Sequence, residues 1–360
     1  MRLSPRLAFL AMLSLSAIQV AYAADWPNQT DGDLILDSYV CANGDRFVSL
    51  KLHYTTIGTP RRDGQGHITN AILLLHGTGG TGKEYLQPEI ADHLFKPGAI
   101  LDASRYYIVL PDGIGAGGSS KPSDGLRGKF PGYGYTDQVR TQQITLAHLG
   151  VDHLKLVSGI SMGGMQTWLW AELYPKAMDA AVPIASMPMP VSGRNLIWRQ
   201  IIVRAIENDP GWNGGAYETP PTAWSQIAAP LFFYMLSTPE KLQEAAPDRA
   251  RTLAWYDAMA AKWRGLDAAN ALFSVRSSSD YDPGPMLGHI EAPLLAVNFE
   301  DDVVNPIELA PLVRQAIAPV PSARFQVLQG GFGHASIYHA DAWAGAMAAF
   351  LTGLSGWKTE

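Results

Sequence analysis

Leu154-Lys155-Leu156-Val157-Ser158-Gly159-Ile160-Ser161-Met162-Gly163 runs from an apolar, strand-like stretch into the pattern G-x-S-x-G, and Met165-Gln166-Thr167-Trp168-Leu169-Trp170-Ala171-Glu172-Leu173 continues it as a helix. In that setting the serine sits on a sharp strand-to-helix turn that presents its hydroxyl beyond the edge of a sheet. The glycines two before and two after it leave room where the strand and helix backbones meet. Taken without its flanks, G-x-S-x-G is equally a Gly-rich turn whose serine caps a helix. The strand before and the helix after favour a nucleophile.

Outward from this turn, strand-like runs alternate with helical ones. Ala71-Ile72-Leu73-Leu74-Leu75 is apolar throughout, as a strand buried on both faces of a parallel sheet is, and it ends in His76-Gly77-Thr78-Gly79-Gly80. Tyr106–Asp112, Ala180–Ala185, Leu294–Asn298 and Ala323–Leu328 supply further strands, an amphipathic stretch covers Tyr135–Leu149, and a terminal helix is expected over Ala340–Leu351. Asp33–Ile57 alternates about an Asn43-Gly44-Asp45 turn, which predicts a β-hairpin. Alternation of this kind predicts an α/β fold with a mostly parallel central sheet flanked by helices. Residues 186–288 carry no strand-like run but several helical ones, around Leu196–Glu207, Ala223–Leu236 and Arg249–Gly265, too much for an ordinary crossover. They are read as a helical lid inserted into a core of residues 24–185 and 289–360.

A serine hydroxyl needs a base within hydrogen-bond reach, and that base needs an orienting acid. Phe299-Glu300-Asp301-Asp302-Val303-Val304-Asn305-Pro306 follows one strand and Gln329-Gly330-Gly331-Phe332-Gly333-His334 follows the next. The expected order Ser, Asp, His is thus met by Ser161, Asp302 and His334 as catalytic residues. Asp302 is preferred because it stands four before Pro306, with Asp301 in reserve; His339 competes with His334 but is expected inside the terminal helix. An oxyanion needs preorganised N–H donors, for which Met162, after the nucleophile, and Thr78, on the Gly-rich loop, are the candidates, with Gly77 next. That loop lacks the G-x-x-x-x-G-K-[ST] frame of a phosphate cradle, since Glu84 follows Lys83.

The composition narrows the classes further. Lys and Arg number 27 against 33 Asp and Glu, a net charge of −6 with signs interspersed, which gives no footprint for nucleic acid. Nine histidines are dispersed without H-x-x-x-H or H-E-x-x-H spacing, so no metal is expected, nor any other cofactor. Cys41 is the single cysteine and no nucleophile signature surrounds it. Residues 1–23 pair a basic start with an apolar run from Leu7 to Val20, too short to span a bilayer, and end in Ala21-Tyr22-Ala23; they read as a secretory signal peptide. The mature chain is accordingly expected to be periplasmic or secreted, without stable membrane insertion.

Tyr135-Thr136-Asp137-Gln138-Val139-Arg140-Thr141-Gln142, His148-Leu149-Gly150-Val151, Ser161-Met162-Gly163-Gly164-Met165-Gln166 and Ala205-Ile206-Glu207-Asn208-Asp209-Pro210-Gly211-Trp212 resemble the homoserine O-acetyltransferase branch of the α/β-hydrolase superfamily. The resemblance spans most of the mature chain. It implies the α/β-hydrolase fold with a helical lid, an acyl-enzyme mechanism and a homodimer through the lid. It also implies an aspartate directly after the catalytic histidine and a lid arginine, which together grip an amino-acid substrate. Here Ala335 follows His334, and the comparable stretch Ser225–Tyr234 has no arginine. Without those charges a zwitterion loses its partners, and water becomes the expected acyl acceptor. The expected activity is that of an exported serine esterase acting on a small-molecule ester, with Gly77, Trp198, Phe232 and Phe233 as substrate-binding candidates. An O-acyltransferase and an inactive binding module are the alternatives.

Overall fold

The computed structural model describes residues 26–357; the stretch read as an export signal, residues 1–23, lies outside them. Strand β1 (Thr30–Leu36) pairs antiparallel with β4 (Leu50–Ile57), while β2 (Tyr39–Val40) and β3 (Arg46–Phe47) form a small ribbon of their own around Asn43 and Gly44. The expected single hairpin is therefore two nested ones. The turn chemistry marks the inner one, and the outer pairing is carried by the longer strands.

Then come β5 (Ala71–Leu75), α1 (Pro88–Leu94), β6 (Tyr107–Pro111), α2 (Tyr135–His148), β7 (Leu156–Ile160), α3 (Met162–Leu173) and β8 (Ala181–Ile184). After the insert follow β9 (Leu294–Phe299), α9 (Ala310–Ile317), β10 (Ala323–Leu328) and α10 (Ala344–Thr352). The eight strands lie in the order β1-β4-β6-β5-β7-β8-β9-β10, and only β4 runs against the others. Every residue of β5 through β9 is buried, because helices cover both faces: Ile72 and Leu74 pack on the α1 and α10 side, Ala71, Leu73 and Leu75 on the α2 and α3 side. The terminal helix starts later than its apolar run suggests, since Ala340–Ala342 forms a separate 3-10 turn before α10.

Between β8 and β9 lie five helices: α4 (Gly193–Glu207), α5 (Ser225–Leu236), α6 (Pro239–Ala245), α7 (Arg249–Arg264) and α8 (Ala268–Arg276). They bury a core of their own, with Trp198, Ile202, Ile206, Trp224 and Leu272 at its centre. Tyr281 and Leu287, still inside the stretch read as lid, already pack with the α2 and α3 side of the sheet.

The turn between β7 and α3 explains its glycines. Ser161 sits at φ +52° and ψ −111°, a conformation few side chains adopt. A Cβ on Gly163 would lie 2.0 Å from the Leu75 carbonyl oxygen, and one on Gly159 would lie 2.3 Å from the Gly163 backbone. Backbone offers no rotamer by which to yield. Gly163→Ala is therefore expected to cost about 3 kcal/mol or more, read as a lowered urea midpoint with an unchanged m-value.

Candidate active site

The three residues that the fold order singles out meet at the C-terminal edge of the sheet. Ser161 enters from the end of β7, Asp302 from the loop after β9, and His334 from the loop after β10. His334 Nε2 lies 2.9 Å from Ser161 Oγ, and His334 Nδ1 lies 2.7 Å from Asp302 Oδ2. A carboxylate at Nδ1 holds the ring proton there, leaving Nε2 to accept from the serine hydroxyl. His334 is 4 % exposed and Asp302 1 %, so water competes little for these bonds.

Asp302 is itself tightly held. Its Oδ1 accepts the Val304 and Asn305 N–H groups at 2.7 and 3.0 Å. Burial pushes its carboxyl up, but the adjacent His334 ring and those donors outweigh burial and keep it below the usual carboxylate range. Asn305 also donates through Nδ2 to the Ala185 carbonyl at 2.9 Å, tying the acid loop to the end of β8. Asp301 faces elsewhere: its Oδ2 accepts Gly333 N–H at 3.1 Å, which sets the turn before His334. His339 is not in the terminal helix as expected; it follows a 3-10 turn and stacks on Phe332 with ring centroids 3.7 Å apart.

The Gly-rich loop after β5 is fixed from two sides. Buried His76 is kept below the usual imidazole range by burial, against the pull of the Gly77 carbonyl and Asp112. As a neutral ring it donates from Nδ1 to Gly77 O at 2.8 Å and accepts Gly113 N–H at Nε2 at 2.9 Å. Glu84 Oε2 accepts Gly77 N–H at 3.3 Å. Gly77 N–H is thus committed. Thr78 N–H donates to no acceptor among the described residues, and Met162 N–H is one of the orphan donors of a helix N-terminus. Both are free for an oxyanion.

Burial pushes the Glu84 carboxyl up to about 8, with Asp112 adding to the shift against the Gly77 donor. A raised carboxyl favours the fold below its ordinary value of 4.5 and loses that advantage as pH climbs through about 8. Between those values, wild-type stability is expected to fall by up to roughly 4–5 kcal/mol more than that of Glu84→Gln. Denaturant melts across that range measure the difference.

Above Ser161 lies a cavity of about 50 Å³ whose wall includes Gly77, Thr78, Met165, Trp198, Phe232 and Ala335. A second cavity of about 270 Å³, between lid and core, shares Thr78, Trp198 and Phe232 with it. Phe233, grouped with Phe232 in the sequence, lines neither; successive helical side chains point about 100° apart, and Phe233 turns to Trp263 and Lys262 instead. The lid does supply an arginine to the serine cavity, Arg199, from α4 rather than from the Ser225–Tyr234 stretch. Asn305, Ala185 and Arg199 are the site residues that sequence reasoning passes over. Cys41 belongs to an apolar cluster with Phe47, Leu50 and Phe130 and lines neither cavity; burial, then Asp137 and Asp45, push its thiol up to about 12.

A family model described as the alpha/beta hydrolase fold matches residues 70–340. The chain belongs to this family. Within it, a homoserine O-acetyltransferase from Moorella thermoacetica is 36 % identical over 190 residues, 49 % of this chain and 50 % of that protein. A homoserine O-succinyltransferase from Magnetococcus marinus is 32 % identical over 215 residues, 56 % and 50 % respectively. The matched stretch thus spans about half the length of these curated relatives. Among solved structures, a homoserine O-acetyltransferase from Bacillus anthracis superimposes with a TM-score of 0.79 at 20 % identity, covering 89 % of this chain and 97 % of that one. An acetylester hydrolase from Corynebacterium glutamicum gives 0.78 at 21 %, covering 89 % and 95 %. This α/β hydrolase therefore shares its fold with acyltransferases and esterases alike.

Proposed function

We propose that this α/β hydrolase cleaves short-chain carboxylic esters through an acyl-enzyme on Ser161. The observation that carries the reading is the unbroken Ser161–His334–Asp302 relay at the floor of a small cavity. Ser161 Oγ attacks the ester carbonyl while its proton passes to His334 Nε2, and the oxyanion forms against the Met162 and Thr78 N–H groups. His334 returns the proton to the departing alkoxide. It then takes one from water, whose oxygen attacks the acyl carbon, releases the carboxylic acid and regenerates Ser161. The serine cavity is small, about 50 Å³, which favours a short acyl group over a long one. The larger neighbouring cavity is the natural place for the alcohol portion. The signal read in residues 1–23 supports action outside the cytoplasm, where an acyl-CoA donor is absent.

Acyl transfer is the second reading, favoured by the similarity to homoserine acyltransferases. Against it, no Asp or Glu lines the serine cavity among the described residues to receive an ammonium group. The test is release of p-nitrophenol from acetate, butyrate and octanoate esters, beside a transfer assay with acetyl-CoA and homoserine. Hydrolysis falling tenfold or more from acetate to octanoate, with no transfer product, is expected. CoA-dependent acylation of homoserine outpacing hydrolysis would overturn the proposal.

A further inference from the structure

Arg199 is 4 % exposed, yet among the described residues no carboxylate lies within ion-pair distance of it. Its Nε donates to Asn195 Oδ1 at 2.9 Å, its Nη1 reaches the Val275 carbonyl at 3.5 Å, and the guanidinium lies over the Trp198 ring at 4.4 Å. A guanidinium carries five N–H donors; here two have acceptors, both neutral, and one of those is long. Taking an unpaired charge out of water is costly unless an anion meets it. Arg199 lines the same small cavity as Ser161 and His334, and among the described residues it is, apart from His334, the single basic side chain there, with no Asp or Glu in the lining.

From these unpaired donors beside the reacting serine we infer that Arg199 is a substrate-recognition residue, and that the preferred esters carry one carboxylate within a few bonds of the ester linkage. The inference rests on the hydrolase reading and narrows its substrate class. Asn195, one turn before on α4, and the Trp198 ring hold the planar fork in place, which suits bidentate capture of a carboxylate. The cavity offers no acid for an ammonium, so a simple carboxylate ester fits and an amino-acid zwitterion does not. Arg199 lines the serine cavity, where the acyl and alcohol portions meet at Ser161, so the charge can sit on either side of the ester linkage.

Two isosteric pairs distinguish the sides: acetoxyacetate against acetoxyacetamide places the charge on the alcohol, and monomethyl succinate against methyl succinamate places it on the acyl group. In the wild-type enzyme kcat/KM is expected to favour the acid over the amide by roughly tenfold or more in one pair. In Arg199→Gln that ratio is expected to fall to near unity, with Arg199→Lys between. Ratios within about threefold of unity in both wild-type pairs, or an acid preference that survives in Arg199→Gln, overturn the inference. The wild-type ratios need no substitution, so a poorly folded variant does not blunt the test. p-Nitrophenyl acetate run alongside reports on the hydrolase reading by itself. If no ester is turned over, calorimetric titration of Ser161→Ala with the same pairs still decides: tighter binding of an acid supports the role of Arg199 while the hydrolase reading falls, and equal binding removes both.

Discussion

Ser161→Ala is expected to lower kcat on p-nitrophenyl acetate by about 10⁵- to 10⁶-fold, while the chain stays folded. The two halves of that expectation have separate grounds. The hydroxyl is the atom poised 2.9 Å from His334 Nε2, and without it the base has no nucleophile to activate within the relay. The oxyanion donors survive, so a residue of catalysis above the water rate remains. For the fold, Ser161 Oγ makes that one hydrogen bond and no other among the described residues, and the strained φ of +52° is imposed by the turn and not by the side chain. Stability should move by no more than about 1 kcal/mol. Activity within a hundredfold of wild type would mean another nucleophile. Cys41 is a poor one, since its thiol is pushed up to about 12 and sits in a separate apolar cluster.

Much of this site is legible in the chain because the physics is local. A strand buried on both faces must be apolar throughout, so β5 and β9 show themselves as runs, and the residue after such a strand lies at the edge where the chemistry collects. That is why Ser161, Asp302 and His334 could be named from strand ends. What could not be read depends on distant pairing. That β6 lies between β4 and β5 is set by contacts across many residues, and that Phe232 and not Phe233 lines the cavities is set by how α5 lies in the folded chain. Short helices such as α6 and α8 show too few turns for their period to stand out. For α8 there was a usable signal: Asp267 accepts the Ala269 and Asn270 N–H groups as a cap. Arg199 escapes the sequence for a related reason. Its importance lies in lacking a charged partner, which only the folded arrangement reveals.

Asp302→Asn separates the orienting acid from its neighbour more sharply than any truncation. The carboxamide has nearly the carboxylate's shape, and its oxygen can keep the Val304 and Asn305 N–H groups that Oδ1 now accepts. The nitrogen must then take the place of Oδ2, 2.7 Å from His334 Nδ1. It is a donor facing a donor, so the ring answers by moving its proton to Nε2, and Nε2 can no longer accept the proton of Ser161 Oγ. A loss of roughly 10⁴ in kcat with little change in KM is expected. Asp301→Asn supplies the comparison. Its side-chain oxygen can still accept Gly333 N–H, and neither oxygen of Asp301 contacts His334 among the described residues, so a loss below tenfold is expected. Were Asp301→Asn the more damaging change, the orienting acid would have to be reassigned and the loop after β9 would have to shift in the working enzyme. With the losses in the expected order, the tautomer argument stands: the acid works by holding a proton on Nδ1.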